Sequence, residues 1–291
     1  MIPGEFDYYS PGSLEEAVGL LQQHGFGAKL LAGGQSLIPA MRFRLSAPEV
    51  LIDLNNVEGL EYIRESNDHL AIGAMTREAM LEESDLVADR YPLLADAARV
   101  IADPLVRNKA TVGGNLAHAD PANDHPAAML AYGAELVALG PDGTRTIPID
   151  DFFVGLFENA LDEGEILTAI RIPSPGANSG GAYVKAERKV GDYAVSAVAV
   201  QLTMDGDRCT AARIGLTNVN PTPMRARNAE QALAGQTLSD DVLETAGQAA
   251  AAECDPSQDL RGSVEYKRDL TRVLTKRAIR KAVERATGAE A

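Results

Sequence analysis

The residues of this chain best placed to do chemistry are glycines. Lys29-Leu30-Leu31-Ala32-Gly33-Gly34-Gln35-Ser36-Leu37 is an apolar run that ends in two adjacent glycines, a polar pair and a new apolar segment. That is the pattern of a strand stopping at a turn whose backbone, rather than its side chains, faces a ligand. Paired glycines permit positive φ and let a ligand approach bare amides. Successive N–H groups in such a turn form an anion site, and a helix starting after it adds partial positive charge. The pattern recurs as Thr111-Val112-Gly113-Gly114-Asn115-Leu116. One Gly-Gly pair marks only a turn. Two pairs, each followed by Gln-Ser or Asn and a leucine, point to two loops gripping one diphosphate.

The bulk properties narrow the alternatives. Neither segment continues into Gly-Lys-Ser/Thr, and neither is G-x-G-x-x-G, so P-loop and Rossmann nucleotide sites are unsupported. The two cysteines, Cys209 and Cys254, are far apart. They are too few for an iron–sulfur cluster, which takes about four thiolates, or for a structural zinc site. They read as core or surface thiols in a reducing compartment. The four histidines lack metal-ligand spacing. A net charge of −15 argues against nucleic acid as a partner, because phosphate backbones need clustered Lys and Arg. No apolar run approaches the roughly 18 residues of a membrane span. Met1–Phe6 has neither a basic nor an apolar leader region, so the expected location is the cytoplasm, or the inner face of the membrane.

The elements that must position the glycines follow from periodicity. Ser13-Leu14-Glu15-Glu16 predicts a capping box, with Leu14, Ala17, Val18 and Leu21 on one helical face and Gly25 closing the helix. Strands are expected at 28–32 and 50–54, with a short helix over 36–43. Further strands are expected at 62–64 and 70–74, and helices at 76–82 and 91–101. Residues 103–110 read as extended or irregular. Pro126 is expected at the first position of a helix over 127–132. A hairpin is expected across Pro141-Asp142-Gly143 and a strand over 166–172. Ser174–Gly181 is the best linker candidate. Beyond it come strands over 182–187, 194–204 and 209–216, then helices over 226–233, 240–254 and 264–286. Between Tyr266 and Thr287 the last helix holds eight basic and two acidic residues. It reads as a solvated helix in preference to a docking surface.

In family order, the chain carries KLLAGGQSLIP at 29–39, ATVGGNL at 110–116, DPANDHP at 120–126, EILTAIRIP at 165–173, RKVGDY at 188–193 and RGSVEYKR at 261–268. In these stretches, which span nearly the whole chain, it resembles the flavoprotein (medium) subunits of molybdenum hydroxylases, typified by aerobic carbon monoxide dehydrogenase and including xanthine dehydrogenase. The resemblance implies an α+β protein with the FAD-binding fold of the para-cresol methylhydroxylase and vanillyl-alcohol oxidase type. A C-terminal subdomain would combine a three-stranded antiparallel sheet with a helix bundle. Three parts are expected: residues 1–56, 57–175 and 176–291.

The resemblance also implies roles. Ala32, Gly33, Gly34, Gln35 and Ser36, with Thr111, Val112, Gly113, Gly114 and Asn115, would cradle the FAD pyrophosphate. Ile101 would pack near the flavin or its ribityl chain. Asp124 would accept hydrogen bonds from the adenosine ribose or nearby hydroxyls, and Leu167 would contact the adenine or its surroundings. Lys185 would sit at the cofactor's polar edge, and Tyr193 would lie against the isoalloxazine. Read from residue type alone, Ile101 and Leu167 equally suit a core and Lys185 a solvated strand face. His118 and His125 suit satisfied surface positions. No catalytic acid or base and no metal ligand is expected. The implied partners are an iron–sulfur small subunit that delivers electrons, a molybdopterin large subunit that oxidises substrate, and an external electron acceptor, in a dimer of heterotrimers. Two rivals remain: a stand-alone flavoenzyme of the same fold, like the UDP-sugar reductase of cell-wall synthesis, and an assembly module that has lost its flavin.

Overall fold

The computed structural model describes residues 2–288; Met1, named above with the leader region, and residues 289–291 of the expected third part lie outside the described residues. Three sheets organise the chain in sequence order. The first unit contains β1 (Asp7–Tyr9), α1 (Leu14–His24), β2 (Ala28–Leu31), α2 (Leu37–Arg42) and β3 (Val50–Asp53). Its strands form a parallel sheet in the order β1-β3-β2. Ser13 caps α1 by accepting from the Glu16 N–H, while the Glu16 carboxylate accepts from the Gly12 N–H. Ala17, Val18 and Leu21 are the buried face of α1, packed with Val50 and Ile52.

The second unit comprises β4 (Ile63–Glu65), β5 (His69–Gly73), α3 (Glu78–Glu82), α4 (Asp85–Arg90), α5 (Pro92–Arg99), α6 (Pro104–Arg107), α7 (Val112–His118), α8 (Asp124–Tyr132), β6 (Glu135–Gly140), β7 (Gly143–Pro148), β8 (Phe153–Gly155), β9 (Glu158–Asn159) and β10 (Ile166–Pro173). Its main sheet is antiparallel in the order β4-β5-β10-β6-β7. The helices cover that sheet. Leu93, Leu94, Leu116, Met129 and Leu130 pack with Leu70, Ile72, Leu136 and Ile170 in the largest core.

The third unit has β11 (Ser179–Ala186), β12 (Ser196–Asp205), β13 (Arg208–Thr217), β14 (Met224–Arg225), α9 (Arg227–Leu233), α10 (Asp240–Glu253) and α11 (Val264–Thr287). Its sheet has four antiparallel strands in the order β11-β12-β13-β14, not three. The fourth, only two residues long, carries no periodic signal.

Other expectations change for physical reasons. Residues 103–110 contain α6, because the Asp103 carboxylate caps the Leu105 and Val106 amides and Pro104 sits at the first turn. The helix containing Pro126 starts two residues earlier than expected, at Asp124. The 174–181 linker shrinks to a short turn, since β11 starts at Ser179. The second glycine pair is not a turn at all. Thr111 is a helix cap whose hydroxyl accepts from the Gly114 N–H, and Gly113 and Gly114 lie in the first turn of α7. Of the basic residues on α11, Lys267, Arg272, Lys276, Arg280, Lys281 and Arg285 each pair with an acid of this chain. Their charge is thus largely balanced internally. Cys209 and Cys254 are free and buried. Among the described residues, no helix is long and apolar enough to cross a membrane.

Candidate cofactor site

The two glycine segments, some eighty residues apart in sequence, meet in space. A Cβ built on Gly33 would lie 2.3 Å from the Lys109 carbonyl oxygen and 2.7 Å from Ala110 Cα. One on Gly114 would lie 3.3 Å from Ala32 Cβ, and one on Gly113 would lie 2.6 Å from the Ala74 carbonyl oxygen. Gly33 and Gly113 are therefore required by the close approach of the protein's own backbone. The sequence pattern alone had suggested approach by a ligand.

The first segment leaves β2 and curls into α2. Its carbonyls turn inward: Ala32 O accepts from Asn55 Nδ2 at 3.1 Å, Gly33 O from Gln35 Nε2 at 3.2 Å, and Gly34 O from the Ile38 N–H at 3.0 Å. In a trans peptide the next N–H points opposite to the carbonyl. The amides of Gly33, Gly34 and Gln35 are thereby aimed away from those partners. Among the described residues, the N–H groups of Gly33, Gly34, Gln35, Ser36 and Leu37 have no protein acceptor. Gly34 reaches this geometry with φ of +72°, a conformation natural to glycine. The second segment differs. The Val112, Gly113 and Gly114 amides donate to Thr76 O, Ala74 O and Thr111 Oγ1. What α7 offers instead is Asn115, whose Oδ1 is buried with no hydrogen-bond partner.

The remaining expected residues gather around α8. Asp124 is fully buried and accepts from the Tyr183 hydroxyl at 2.6 Å and from Lys185 Nζ at 3.0 Å. Burial raises its carboxyl above the usual range, although Lys185 and Tyr183 pull the other way. Burial and the neighbouring Asp124 carboxylate push the Tyr183 phenol well up. Lys185 is not on a solvated face: its ammonium also donates to Val100 O at 2.9 Å and lies 3.4 Å from Glu187. That bond places Lys185 next to Ile101, itself buried.

Tyr193, 44% exposed, follows a loop in which a Cβ on Gly191 would meet Ala102 O at 2.7 Å. The Arg261 guanidinium sits over the Tyr193 ring, 5.3 Å from its centroid, and pairs with Asp192 at 2.8 Å. Asn123 Nδ2 donates to Asn115 O and ties this group to α7. Leu167 stands apart, buried in the main core at a bulge of β10; Thr168 O next to it accepts from the Ala74 N–H. His125 is no surface residue: it is fully buried, with Nε2 2.6 Å from Glu78 Oε2. Tyr183 escaped the sequence reading because an aromatic residue inside a strand is ordinary.

The donor set fits a dinucleotide. A diphosphate needs donors at its oxygens, which the outward amides supply without a lysine. A sugar or ribityl hydroxyl suits the orphaned Asn115 Oδ1. Among the described residues, no cluster of His, Cys, Asp and Glu could hold a metal ion.

Comparison with known proteins finds matches along nearly the whole chain. Residues 4–175 match the family described as the FAD binding domain in molybdopterin dehydrogenase, and residues 181–282 match the CO dehydrogenase flavoprotein C-terminal domain. The chain is 45% identical over 282 residues to the carbon monoxide dehydrogenase medium chain of Hydrogenophaga pseudoflava, covering 97% of this chain and 98% of that one. It is 39% identical over 287 residues to the 6-hydroxypseudooxynicotine dehydrogenase complex subunit alpha of Paenarthrobacter nicotinovorans, covering 98% and 97%. A solved structure of the Hydrogenophaga pseudoflava carbon monoxide dehydrogenase, lacking the Mo-pyranopterin moiety of its molybdenum cofactor, superposes with a TM-score of 0.96. It is 47% identical, over 98% of this chain and 99% of that one.

Proposed function

Because the chain belongs to the FAD-binding medium subunits of molybdenum hydroxylases, we propose that its two glycine-bearing segments and the group around Asp124 hold one FAD. Through that FAD it takes electrons from the iron–sulfur clusters of a small subunit and passes them to an external acceptor. The cofactor, when bound, supplies two-electron redox chemistry; the protein supplies binding, orientation and electrostatics. Gly33, Gly34, Gln35, Ser36 and Leu37 would meet the diphosphate through their amides. Thr111 to Asn115 close the far side. Ile101, Lys185 and Tyr193 line the flavin side, and Leu167 contributes from the core. Asp124 would act chiefly by holding Lys185 and Tyr183 in place, since both its oxygens already accept from protein donors.

The observation that carries this reading is the set of outward amides at Gly33–Leu37 beside Asn115. The molybdopterin subunit selects the substrate, so the substrate is not written in this chain. We further propose the para-cresol methylhydroxylase type of FAD fold and a dimer of heterotrimers at the cytoplasmic side. We also propose the three-part division 1–56, 57–175 and 176–291; three apolar clusters are centred on these parts, although two of them draw residues across a boundary. Nothing supports a stand-alone sugar-nucleotide reductase.

The test is the visible spectrum of the purified complex. A flavin spectrum with one FAD per copy of this chain, bleached when substrate is added to the complex, is the expected result. A complex whose molybdenum and iron–sulfur subunits are intact but which releases no FAD on denaturation would overturn it.

A further inference from the structure

Two residues that no motif singled out, Asn55 and Arg77, join the two glycine segments from behind. Arg77 precedes α3, and its backbone bridges to Thr111. Its Nη1 donates to Lys109 O at 2.6 Å, and its Nη2 donates to Asn55 Oδ1 at 2.6 Å. Asn55 Nδ2 in turn donates to Ala32 O. The Asn55 backbone N–H is held by Asp53 Oδ1 at 2.9 Å, and Asp53 Oδ2 accepts from the Tyr8 hydroxyl at 2.6 Å. A single line of hydrogen bonds therefore runs from the edge of the parallel sheet to the carbonyl that Gly33 packs against.

We propose that Asn55 and Arg77 are positioning residues for the diphosphate of the bound dinucleotide, an inference that rests on the FAD reading above. The Ala32 carbonyl is pinned to Asn55, so the Gly33 N–H is turned to the opposite side of the peptide plane. The Lys109 carbonyl is pinned to Arg77, which fixes the surface on which Gly33 rests. The first segment leaves a strand of the parallel sheet and the second links α6 to α7, and the two have no direct backbone hydrogen bond to one another among the described residues. The guanidinium is the bridge. It suits the task because its planar fork can serve two acceptors at once, which an ammonium on a single stem does less well. Neither residue touches the flavin ring in this account; they act by presenting the amides in advance of the ligand, so that little ordering is left to be done on binding.

The experiment uses the full chain in its complex, stripped of flavin and titrated with FAD by fluorescence quenching. Arg77→Ala and Asn55→Ala are each expected to weaken FAD binding about tenfold to a hundredfold. The double variant should be little worse than the weaker-binding single one, since both break the same line. Arg77→Lys, which can reach one acceptor but not both, should lie between wild type and Arg77→Ala. The reduction potential and visible spectrum of flavin bound at saturation should match wild type. The melting temperature of the flavin-free variants should stay within a degree or two of wild type. Unchanged FAD affinity in Arg77→Ala would overturn the proposal. So would an altered flavin potential, or a loss of affinity matched by a collapse of the flavin-free melting temperature. A wild-type complex that binds no FAD would instead refute the FAD reading, which separates the two failures.

Discussion

Asp124 and Gly33 each serve the protein's own packing in a way that residue type alone did not show. The resemblance implied that Asp124 accepts hydrogen bonds from cofactor hydroxyls; the residue is buried, and both its oxygens also accept from protein donors. Asp124→Ala leaves the Lys185 ammonium with only Glu187 and Val100 O beside it. Losing one partner of a buried pair costs about 3–5 kcal/mol, which chemical denaturation of the variant should reveal along with reduced flavin content. Gly33→Ala should also shed flavin, because its Cβ meets Lys109 O and forces the two segments apart. In that variant the loss of stability should accompany the loss of colour.

Asp192 supplies a pH signature. The Arg261 guanidinium, with Arg188, holds its carboxyl down to about 2. The folded value lies below the unfolded one, so its contribution is present above about pH 4 and is lost as pH falls toward 2. Hydrogen exchange of residues 188–193 should rise in that window, and Asp192→Asn should remove the change.

At the scale of elements, periodic segments were legible and short ones were not. The capped α1 and the β6–β7 hairpin follow from apolar spacing and turn residues, and both stand close to where they were expected. α4 and α6 were missed, although α2 and α3, equally short, were expected; so few residues carry little period to read. The Gly113-Gly114 pair misled for another reason: Gly-Gly reads as a turn, whereas Thr111 capping and contact with Ala74 make it helical. Lys185 looked solvated because strand alternation says nothing about which face other elements cover; here α8 supplies Asp124 and the end of α5 supplies Val100 O. Gly19 is the element-scale test. It lies exposed inside α1 with nothing within 4 Å of a built Cβ. Gly19→Ala should stabilise the chain by about 1 kcal/mol, read from the denaturation midpoint, without altering flavin content.

At the scale of the molecule, the C-terminal unit is joined to the central one by shared core packing, with Tyr183, Ala194, Ala197 and Ala199 in the central apolar cluster, and by charged contacts. Asp96 on α5 accepts from Arg285 at 2.7 Å and from Lys281 at 3.0 Å, both on α11. Burial alone would raise its carboxyl, but the two cations hold it below the usual range. Asp96→Ala should cost about 2 kcal/mol, the scale of a charged hydrogen bond lost from a part-buried site. The cost should appear as earlier unfolding in denaturant. Such fastening matters because Lys185 and Tyr193 come from the C-terminal unit while the glycines come from the other two; the proposed site would be complete only when all three are docked. The family was legible in six short stretches, but the way the units share one site was not, since it depends on contacts between residues as distant as 96 and 285.

If the chain holds FAD as proposed, one diphosphate sits against the Gly33–Leu37 amides beside α7. A structure of the FAD-loaded complex measures it directly. Diphosphate oxygens are expected within hydrogen-bond distance, about 2.7–3.2 Å, of at least two of those amides, with a cofactor hydroxyl on Asn115 Oδ1. Diphosphate density elsewhere on the chain, with those amides facing solvent, would contradict it.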